Sequence, residues 1–225
     1  MIDFNRQNIL EHFSTNEETL LKVINEALSK GADYADIFFE HTFSNNISLR
    51  DGEVNRAASN IDFGAGVRVI SGDQTGYAYV ESSDIKDLLK AASTASNIAA
   101  SNKKNIAIEL KETHFENYYK VQRPWIDISV ADKKEFVQKL NNRIFELDNK
   151  VIKASISLSN STSYILFFNS EGTLTWDYRP MCVMSGSCTM EKNGVIENGH
   201  SSRAYRKGFE FLNDELIENI AREAV

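Results

Sequence analysis

The C-terminal third of the sequence alternates apolar and polar residues with a period of two, and this pattern constrains the fold most strongly. Five such runs occur, namely "VIKASISLS" (151–159), "SYILFFNS" (163–170), "TLTWDY" (173–178), "MCVMSGSCTM" (181–190) and "VIENGHSS" (195–202). The segments "SNST", "NSEG" and "EKNG" between them are rich in turn-forming residues. Short strands joined by short turns pair antiparallel, so the sequence predicts a β-meander here.

Helical spacing of apolar residues marks four helices elsewhere in the chain. Their apolar stripes are Leu20, Ile24, Ala27 and Leu28; Ile85, Leu88, Leu89 and Ala92; Phe136, Val137, Leu140, Ile144 and Leu147; and Leu216, Ile217, Ile220, Ala221 and Ala224. Ser14 and Glu17 fit a capping box before the first helix, and Gly31 fits a C-terminal cap after it. The second helix is predicted to begin near Ser83 and the third near Ser129.

Further strands are predicted between the first two helices. Residues 35–42 and 45–50 have strand patterns, and Asp51-Gly52 is a strong hairpin signal that leads into residues 53–59. The pattern weakens over residues 101–124, which contain one short predicted strand at 106–110, so a connection and a possible sub-lobe break near 101–126 are predicted. The predicted fold class is α+β, with helices packed on largely antiparallel sheets, several hairpins and a C-terminal meander.

The glycine-rich segment "NIDFGAGVRVISGDQTGYAYV" (60–80) looks at first like a nucleotide-binding loop. A dinucleotide fingerprint needs G-x-G-x-x-G before a helix, whereas Gly64 and Gly66 are followed by Val69 at the third position. No G-K-[ST] sequence occurs either, and β-rich runs stand on both sides of "GDQTG". The segment therefore predicts a strand, a turn and a strand, with the glycines at a bend or where another backbone comes close.

The bulk composition is that of an ordinary globular protein. The chain has 225 residues, of which 42% are hydrophobic and 25% charged, so it can bury a core as one large domain or two small ones. A net charge of −7 argues against direct nucleic-acid binding. No apolar run approaches the length of a membrane span and no signal-peptide pattern is present, so we expect a cytoplasmic protein.

Histidines and cysteines form no recognisable catalytic or metal-binding pattern. The four histidines are His12, His41, His114 and His200, and none begins an H-E-x-x-H sequence or lies within a helical turn of another. His114 and His200 are predicted to be solvated in loops, and His41 is predicted to lie at the surface. Cys182 and Cys188 fall on one face of a predicted strand and are interpreted as packing residues.

Three charged residues are candidates for ligand recognition. Asp177 and Arg179 lie two apart on one predicted strand and therefore on one face, where they can pair or present an anion-binding group. The alternative, a surface ion pair of little consequence, stays open. Arg68 stands between apolar residues and is expected on the less buried face of its strand. No G-x-S-x-G elbow is present, so the residues alone predict no catalytic constellation.

Three stretches of the sequence resemble the N-terminal half of the TldD/PmbA family. They are "GADYADIFFE", "LRDGEVNRAASNIDFGAGVRVISGDQTGYAYVES" and "FFNSEGTLTWDYRPMCVMSGSCTMEKNGVIENG". The most specific parts are G-x-G-V-R-x-I-x-G-x-x-T-G-[YF]-A-Y and the D-x-R-P step at 177–180, and "GTLTWDYRP" is similar to the TldD-type subunit. The resemblance extends from about residue 19 to residue 225.

This resemblance implies part of a zinc metallopeptidase, a family formerly called modulators of DNA gyrase. It implies an N-terminal α+β domain over residues 1–225, small or unfolded peptides as substrates, and a homodimer or a heterodimer with a PmbA-like subunit. Arg68, Tyr77, Asp177 and Arg179 are its candidate substrate-chamber residues.

The family's H-E-x-x-x-H metal site is absent from this sequence, so the resemblance assigns no catalytic or metal-binding residue to this chain. The last apolar helix has no stop signal, which suggests a chain that continues. A non-catalytic peptide-binding module and a gyrase-associated regulator remain alternatives.

Overall fold

The computed structural model describes residues 5–98, 110–113 and 119–225. The described α-helices are α1 (Arg6–His12), α2 (Glu17–Leu28), α3 (Ile85–Ile98), α4 (Val130–Leu147) and α5 (Asp214–Ala224). The described strands are β1 (Tyr34–Arg50), β2 (Glu53–Ser71), β3 (Gln74–Val80), β4 (Lys111–Glu112), β5 (Val151–Asn169), β6 (Thr173–Lys192) and β7 (Val195–Tyr205). Single 3₁₀ turns occupy Trp125–Asp127 and Phe209–Phe211.

All described strands belong to one seven-stranded sheet. Its order is β3-β2-β1-β5-β6, and both β4 and β7 pair with β6. Every pairing is antiparallel except the short parallel contact between β4 and β6. The α+β class, the antiparallel sheet and the C-terminal meander are therefore confirmed.

The architecture repeats the same unit twice. In the first half, α2 is followed by the three antiparallel strands β1, β2 and β3 and then by α3. In the second half, α4 is followed by β5, β6 and β7 and then by α5. Because β1 and β5 pair antiparallel at the centre of the sheet, the two halves are related by an approximate two-fold arrangement.

The strands are longer than their sequence pattern predicts. The expected strands 35–42 and 45–50 are one continuous strand, β1, and the runs 173–178 and 181–190 are likewise one strand, β6. The turn expected at 159–162 is wrong, because these residues lie inside β5. Ser159 makes a cross-strand bond instead, since its Oγ accepts from the side-chain amide of Asn46 at 2.7 Å.

The tight turns, by contrast, follow their sequence signals. Asp51 and Gly52 have φ values of 52° and 84°, and Asn193 and Gly194 have values of 55° and 81°. Two consecutive residues with positive φ define the turn that matches the twist of a two-residue hairpin. The segment "GDQTG" turns only at its first two residues, since β3 already begins at Gln74.

The helix signals are correct in kind but not always in position. The N-cap of α2 is Asn16, whose side chain accepts from the backbone N–H of Thr19 at 2.9 Å, so the expected capping box at Ser14 is wrong. Ser14 instead has a φ of 50° in the turn between α1 and α2. Ser129 does cap α4 by accepting from the N–H of Asp132 at 3.1 Å. The short helix α1 was not predicted.

The five described helices pack on one face of the sheet and form two hydrophobic clusters with it. Helices α1, α2 and α3 cover the first half of the sheet, and α4 and α5 cover the second half. Gly186 on β6 allows close packing in the second cluster, since a Cβ there would lie 3.0 Å from Ile144 and 3.4 Å from Ile220. Each fully buried aliphatic side chain contributes about 1.5–3 kcal/mol to such a core.

The opposite face carries none of the described helices, and we call it the open face. It consists of the alternate residues of each strand, which include Asp36, Phe38 and Glu40 on β1 and their neighbours in register on β2 and β5. In the described segments, no helix is long and apolar enough to cross a membrane. The strand expected at 106–110 falls outside the described residues except for Leu110, and the possible sub-lobe break stays a prediction.

Candidate functional site

Gly64 and Gly66 lie on the open face of β2, where the neighbouring strand β3 comes close. A Cβ on Gly64 would lie 2.8 Å from the carbonyl oxygen of Val80, and one on Gly66 would overlap the hydroxyl of Tyr77. The expected strand–turn–strand is therefore confirmed, and the glycines mark a close approach as the sequence indicated. Both glycines line a groove in the open face, which we call the notch.

Arg68 is held beside this notch by a buried carboxylate. Its Nε and Nη2 donate to the same oxygen of Asp36 at 2.9 Å and 2.6 Å, and Asp36 is 5% exposed. The bonds to Asp36 raise the pKa of Arg68, and the guanidinium lies 6.0 Å from the ring of Tyr34. The side chain of Arg68 is about half exposed, as expected for the less buried face, but sequence reasoning missed its partner.

Tyr77 is the direct cross-strand neighbour of Arg68 on the edge strand β3. Its ring lies over Gly66, and the residue is 58% exposed. Tyr79, the next residue on this face, is 70% exposed. Two large aromatic side chains are thus exposed to solvent beside the notch, and this arrangement is suited to contact with a ligand.

Asp177 and Arg179 form the expected pair on β6. Arg179 Nε donates to Asp177 Oδ2 at 2.6 Å, and both side chains are almost half exposed. Register places them on the open face with Arg68 and Tyr77. Two strands separate them from β2, however, which corresponds to roughly 14 Å at the usual strand spacing. The structure therefore places the four candidate residues on one face in two separate groups.

Two histidines meet on the helix-covered face, which the sequence did not predict. His41 Nδ1 and His12 Nε2 are 3.0 Å apart, and the His12 ring stacks on Tyr164 at 4.3 Å. Burial lowers the pKa of both rings, and the neighbouring His41 lowers that of His12 further. His41 was expected at the surface but is half-buried, because the unpredicted helix α1 carries His12 over it. No sequence signal links residues so far apart.

The remaining histidines and the cysteines contribute no recognisable site. His200 is exposed as expected but lies in β7 rather than in a loop, and His114 lies outside the described residues. Cys182 and Cys188 are free and buried, which confirms their interpretation as packing residues. Across the described part of the chain, no group of three or more His, Cys, Asp or Glu residues is placed to hold a metal ion.

Comparison with known protein families assigns the sequence to a metallopeptidase family. Residues 35–99 match the family model described as PmbA/TldA metallopeptidase domain 1, and residues 123–225 match the PmbA/TldA metallopeptidase central domain. The chain belongs to the PmbA/TldD metallopeptidase family.

Individual relatives agree with this assignment. The metalloprotease TldD homolog of Haemophilus influenzae is 28% identical, with 96% of this chain and 46% of that protein aligned. The homolog from Buchnera aphidicola subsp. Schizaphis graminum is 26% identical over 92% of this chain and 43% of its own length. The chain thus spans about half the length of the curated relatives it matches.

Two solved structures share the fold. A Thermotoga maritima protein described as a modulator of a DNA gyrase superposes with a TM-score of 0.71 at 18% identity, over 92% of this chain and 47% of that one. TldE from Thermococcus kodakarensis superposes with a TM-score of 0.67 at 16% identity, over 92% and 47%. Metalloprotease relatives imply a metal cofactor, but the described residues offer no site that fits one.

Proposed function

We propose that this chain is the N-terminal part of a TldD-type, zinc-dependent peptidase and that its open face forms a wall of the substrate chamber. The observation that carries the proposal is the placement of all five described helices on one side of the sheet. Arg68, Tyr77, Asp177 and Arg179 stand on the other side, where a ligand can reach them. Family membership supplies the reaction class, and small or unfolded peptides are the proposed substrates.

The edge strand β3 supplies a way to bind peptides with little sequence preference. β3 pairs with β2 along one side, and no described strand pairs with its other side. An extended peptide can add to such an edge through main-chain hydrogen bonds. Residues 67–80 are therefore proposed to line the chamber.

The chemistry is proposed to reside outside this chain. The zinc ligands and catalytic groups would belong to a C-terminal metal-binding domain, while this chain binds and orients the substrate. A second subunit, identical or PmbA-like, would complete the chamber in the cytoplasm. The acidic net charge of −7 disfavours direct contact with nucleic acid.

A non-catalytic peptide- or protein-binding module is the second candidate function. It is favoured by the lack of any metal-binding group within the described residues. The reading frame after Val225 separates the two candidates. An H-E-x-x-x-H segment within the next several dozen codons supports the peptidase, whereas a stop codon supports the module.

Hydrogen exchange on the purified chain tests the role of β3. Adding an extended peptide should slow exchange at the β3 amides, whereas β7, the corresponding strand of the other half, serves as the internal comparison. The same preparation with added zinc should cleave no peptide. Chelator-sensitive cleavage by this chain alone, or protection confined to β7, would contradict the proposal.

A further inference from the structure

The notch at Gly64 and Gly66 is a slot with side chains on both of its long sides. Register places Glu40 of β1 beside Gly64, and Gly64 also contacts the backbone at Val80 and Glu81. In the next row, Phe38 and Tyr79 flank Gly66 in the same way. The groove that both glycines line therefore opens between β1 and β3, with the Tyr77 hydroxyl lying over Gly66.

The walls of this slot are aromatic. Phe38 is half-buried on one side, while Tyr77 and Tyr79 are 58% and 70% exposed on the other. Tyr77 leans across Gly66 and narrows the slot at that end. Aromatic faces of this kind attract the methylene stem and the cationic head of a basic side chain.

The charged side chains that line the slot are all acidic, and Arg68 beside it is paired with Asp36. Glu40, Asp62 and Glu81 line it, and none of its lining residues is Lys, Arg or His. Glu40 accepts a hydrogen bond from Thr42 Oγ1 at 2.8 Å, and Asp62 accepts one from Asn60 Nδ2 at 2.7 Å.

Among the described residues, these three slot carboxylates have no cationic partner, unlike Asp36 and Asp177 on the same face. Asp36 is paired with Arg68 and Asp177 with Arg179, whereas no ion pair reaches Glu40, Asp62 or Glu81 from any described residue. An acidic slot without its own cation is complementary to a ligand that carries one.

The form of that cation follows from the spacing and the walls. Nowhere in the described ranges are three acidic, His or Cys side chains close enough to share a metal ion. A long organic cation fits better, because its charge can lie among separated carboxylates while its stem contacts the rings.

We propose that this slot binds a lysine or arginine side chain of an extended peptide. The inference rests on the proposed function, since a peptide added to the edge of β3 would lie about 10 Å from β2, and a long basic side chain could extend across β3 towards the slot. It gives the otherwise sequence-tolerant edge a preference for a basic residue at one position. Glu40, Glu81 and Asp62 bind the cationic head, and Phe38, Tyr77 and Tyr79 pack on the stem.

Binding of labelled peptides to the 225-residue chain tests this preference. Three extended peptides that differ at one central position, with lysine, norleucine or glutamate, are compared by fluorescence anisotropy at low salt. We expect the lysine peptide to bind at least about fivefold more tightly than the norleucine peptide and the glutamate peptide to bind most weakly. The double variant Glu40→Gln/Glu81→Gln should bring lysine and norleucine within about twofold, while Glu197→Gln, an exposed carboxylate on β7, should not.

A second measurement separates failure of the slot from failure of the proposed function. Nα-acetyl-arginine methylamide and its uncharged citrulline analogue are titrated while the amide resonances of Gly64, Gly66 and Glu81 are followed by NMR. Resonance shifts with the arginine compound but not with the citrulline compound support the slot, even if no peptide binds. Failure of every peptide to bind would instead count against the proposed role of the open face as a wall of the substrate chamber. Equal affinity for all three peptides, or the absence of arginine-specific shifts, would overturn the slot.

Discussion

Gly199 on β7 lies directly beneath the carbonyl group of Ala224, the last residue of α5, and a Cβ at this position would overlap that oxygen. Gly76 on β3 has the same relationship to the carbonyl of Ala95 in α3. In both halves, therefore, a glycine in the outer strand lets the closing helix pack against the backbone of the sheet. The occurrence of the same glycine–helix contact in both halves supports the repeat seen in the order of helices and strands.

Replacing Gly199 with alanine tests how tightly α5 is seated. The added methyl group meets backbone atoms, which cannot rotate away, so we expect Gly199→Ala to lower the free energy of unfolding by about 1–3 kcal/mol. Denaturant unfolding followed by circular dichroism gives the value. Ser202→Ala, an exposed change three residues further along β7, is the matched control and should stay within about 0.5 kcal/mol of the parent. Equal stability of the two variants would mean that α5 shifts at little cost.

The Arg68–Asp36 pair and the Arg179–Asp177 pair should differ in their contribution to stability. Asp36 is buried, so Arg68→Met leaves a carboxylate without its partner and should cost about 1–3 kcal/mol. Arg179→Met removes a pair that is exposed on both sides and should cost at most about 1 kcal/mol. Double-mutant cycles with Asp36→Asn and Asp177→Asn measure the two coupling energies. Equal coupling energies for the two pairs would show that the burial of Asp36 does not strengthen its interaction with Arg68.

The two cysteines should be unreactive in the folded protein. Burial raises the pKa of Cys182 to about 11 and also raises that of Cys188. Because the thiolate is the reactive form, a thiol reagent at pH 8 should label neither residue in the native state and both after denaturation. The test uses a thiol reagent that releases a chromophore when it reacts, and the rate of release is measured with and without denaturant. Rapid labelling of the native protein would mean that β6 opens locally.

Sequence reasoning identified the elements better than their lengths. Hairpins such as Asp51-Gly52 were predictable because positive φ at two successive positions demands specific residue types. Several long strands were cut into pieces, and β5 was cut because the polar segment that begins at Ser159 was interpreted as a turn. In the structure Ser159, like the nearby Ser163, is polar because it lies on the open face and bonds across strands.

The candidate site was predictable only in part. Arg68 was expected on the exposed face because of its apolar neighbours, but its partner Asp36 comes from another strand, and a single sequence carries no signal for that register. The acidic slot was missed for the same reason. Glu40 and Glu81 are far along the chain from Asp62, Gly64 and Gly66, and only the sheet brings the five residues together.

The His12–His41 pair should make the protein less stable as the pH falls below neutrality. Burial lowers the pKa of both rings below the ordinary value of 6.5, so below that pH the unfolded chain binds protons that the folded chain does not. Stability is therefore lost as the pH drops from about 6.5 towards the lowered pKa values. The geometry gives the reason, since two rings 3.0 Å apart can share one hydrogen bond when neutral but present two opposed donors when both are protonated.

Thermal unfolding between pH 7.5 and pH 5.5 measures this effect. The melting temperature of the parent protein should fall as the pH is lowered across this range. The melting temperature of His12→Phe should fall less, because phenylalanine keeps a ring against Tyr164 but takes up no proton. His200→Gln removes an exposed imidazole from β7 and should follow the parent. If the melting temperatures of His12→Phe and of the parent fall in parallel as the pH is lowered, protonation of the His12–His41 pair is not linked to folding. The contact between α1 and the sheet would then not depend on the two rings being neutral.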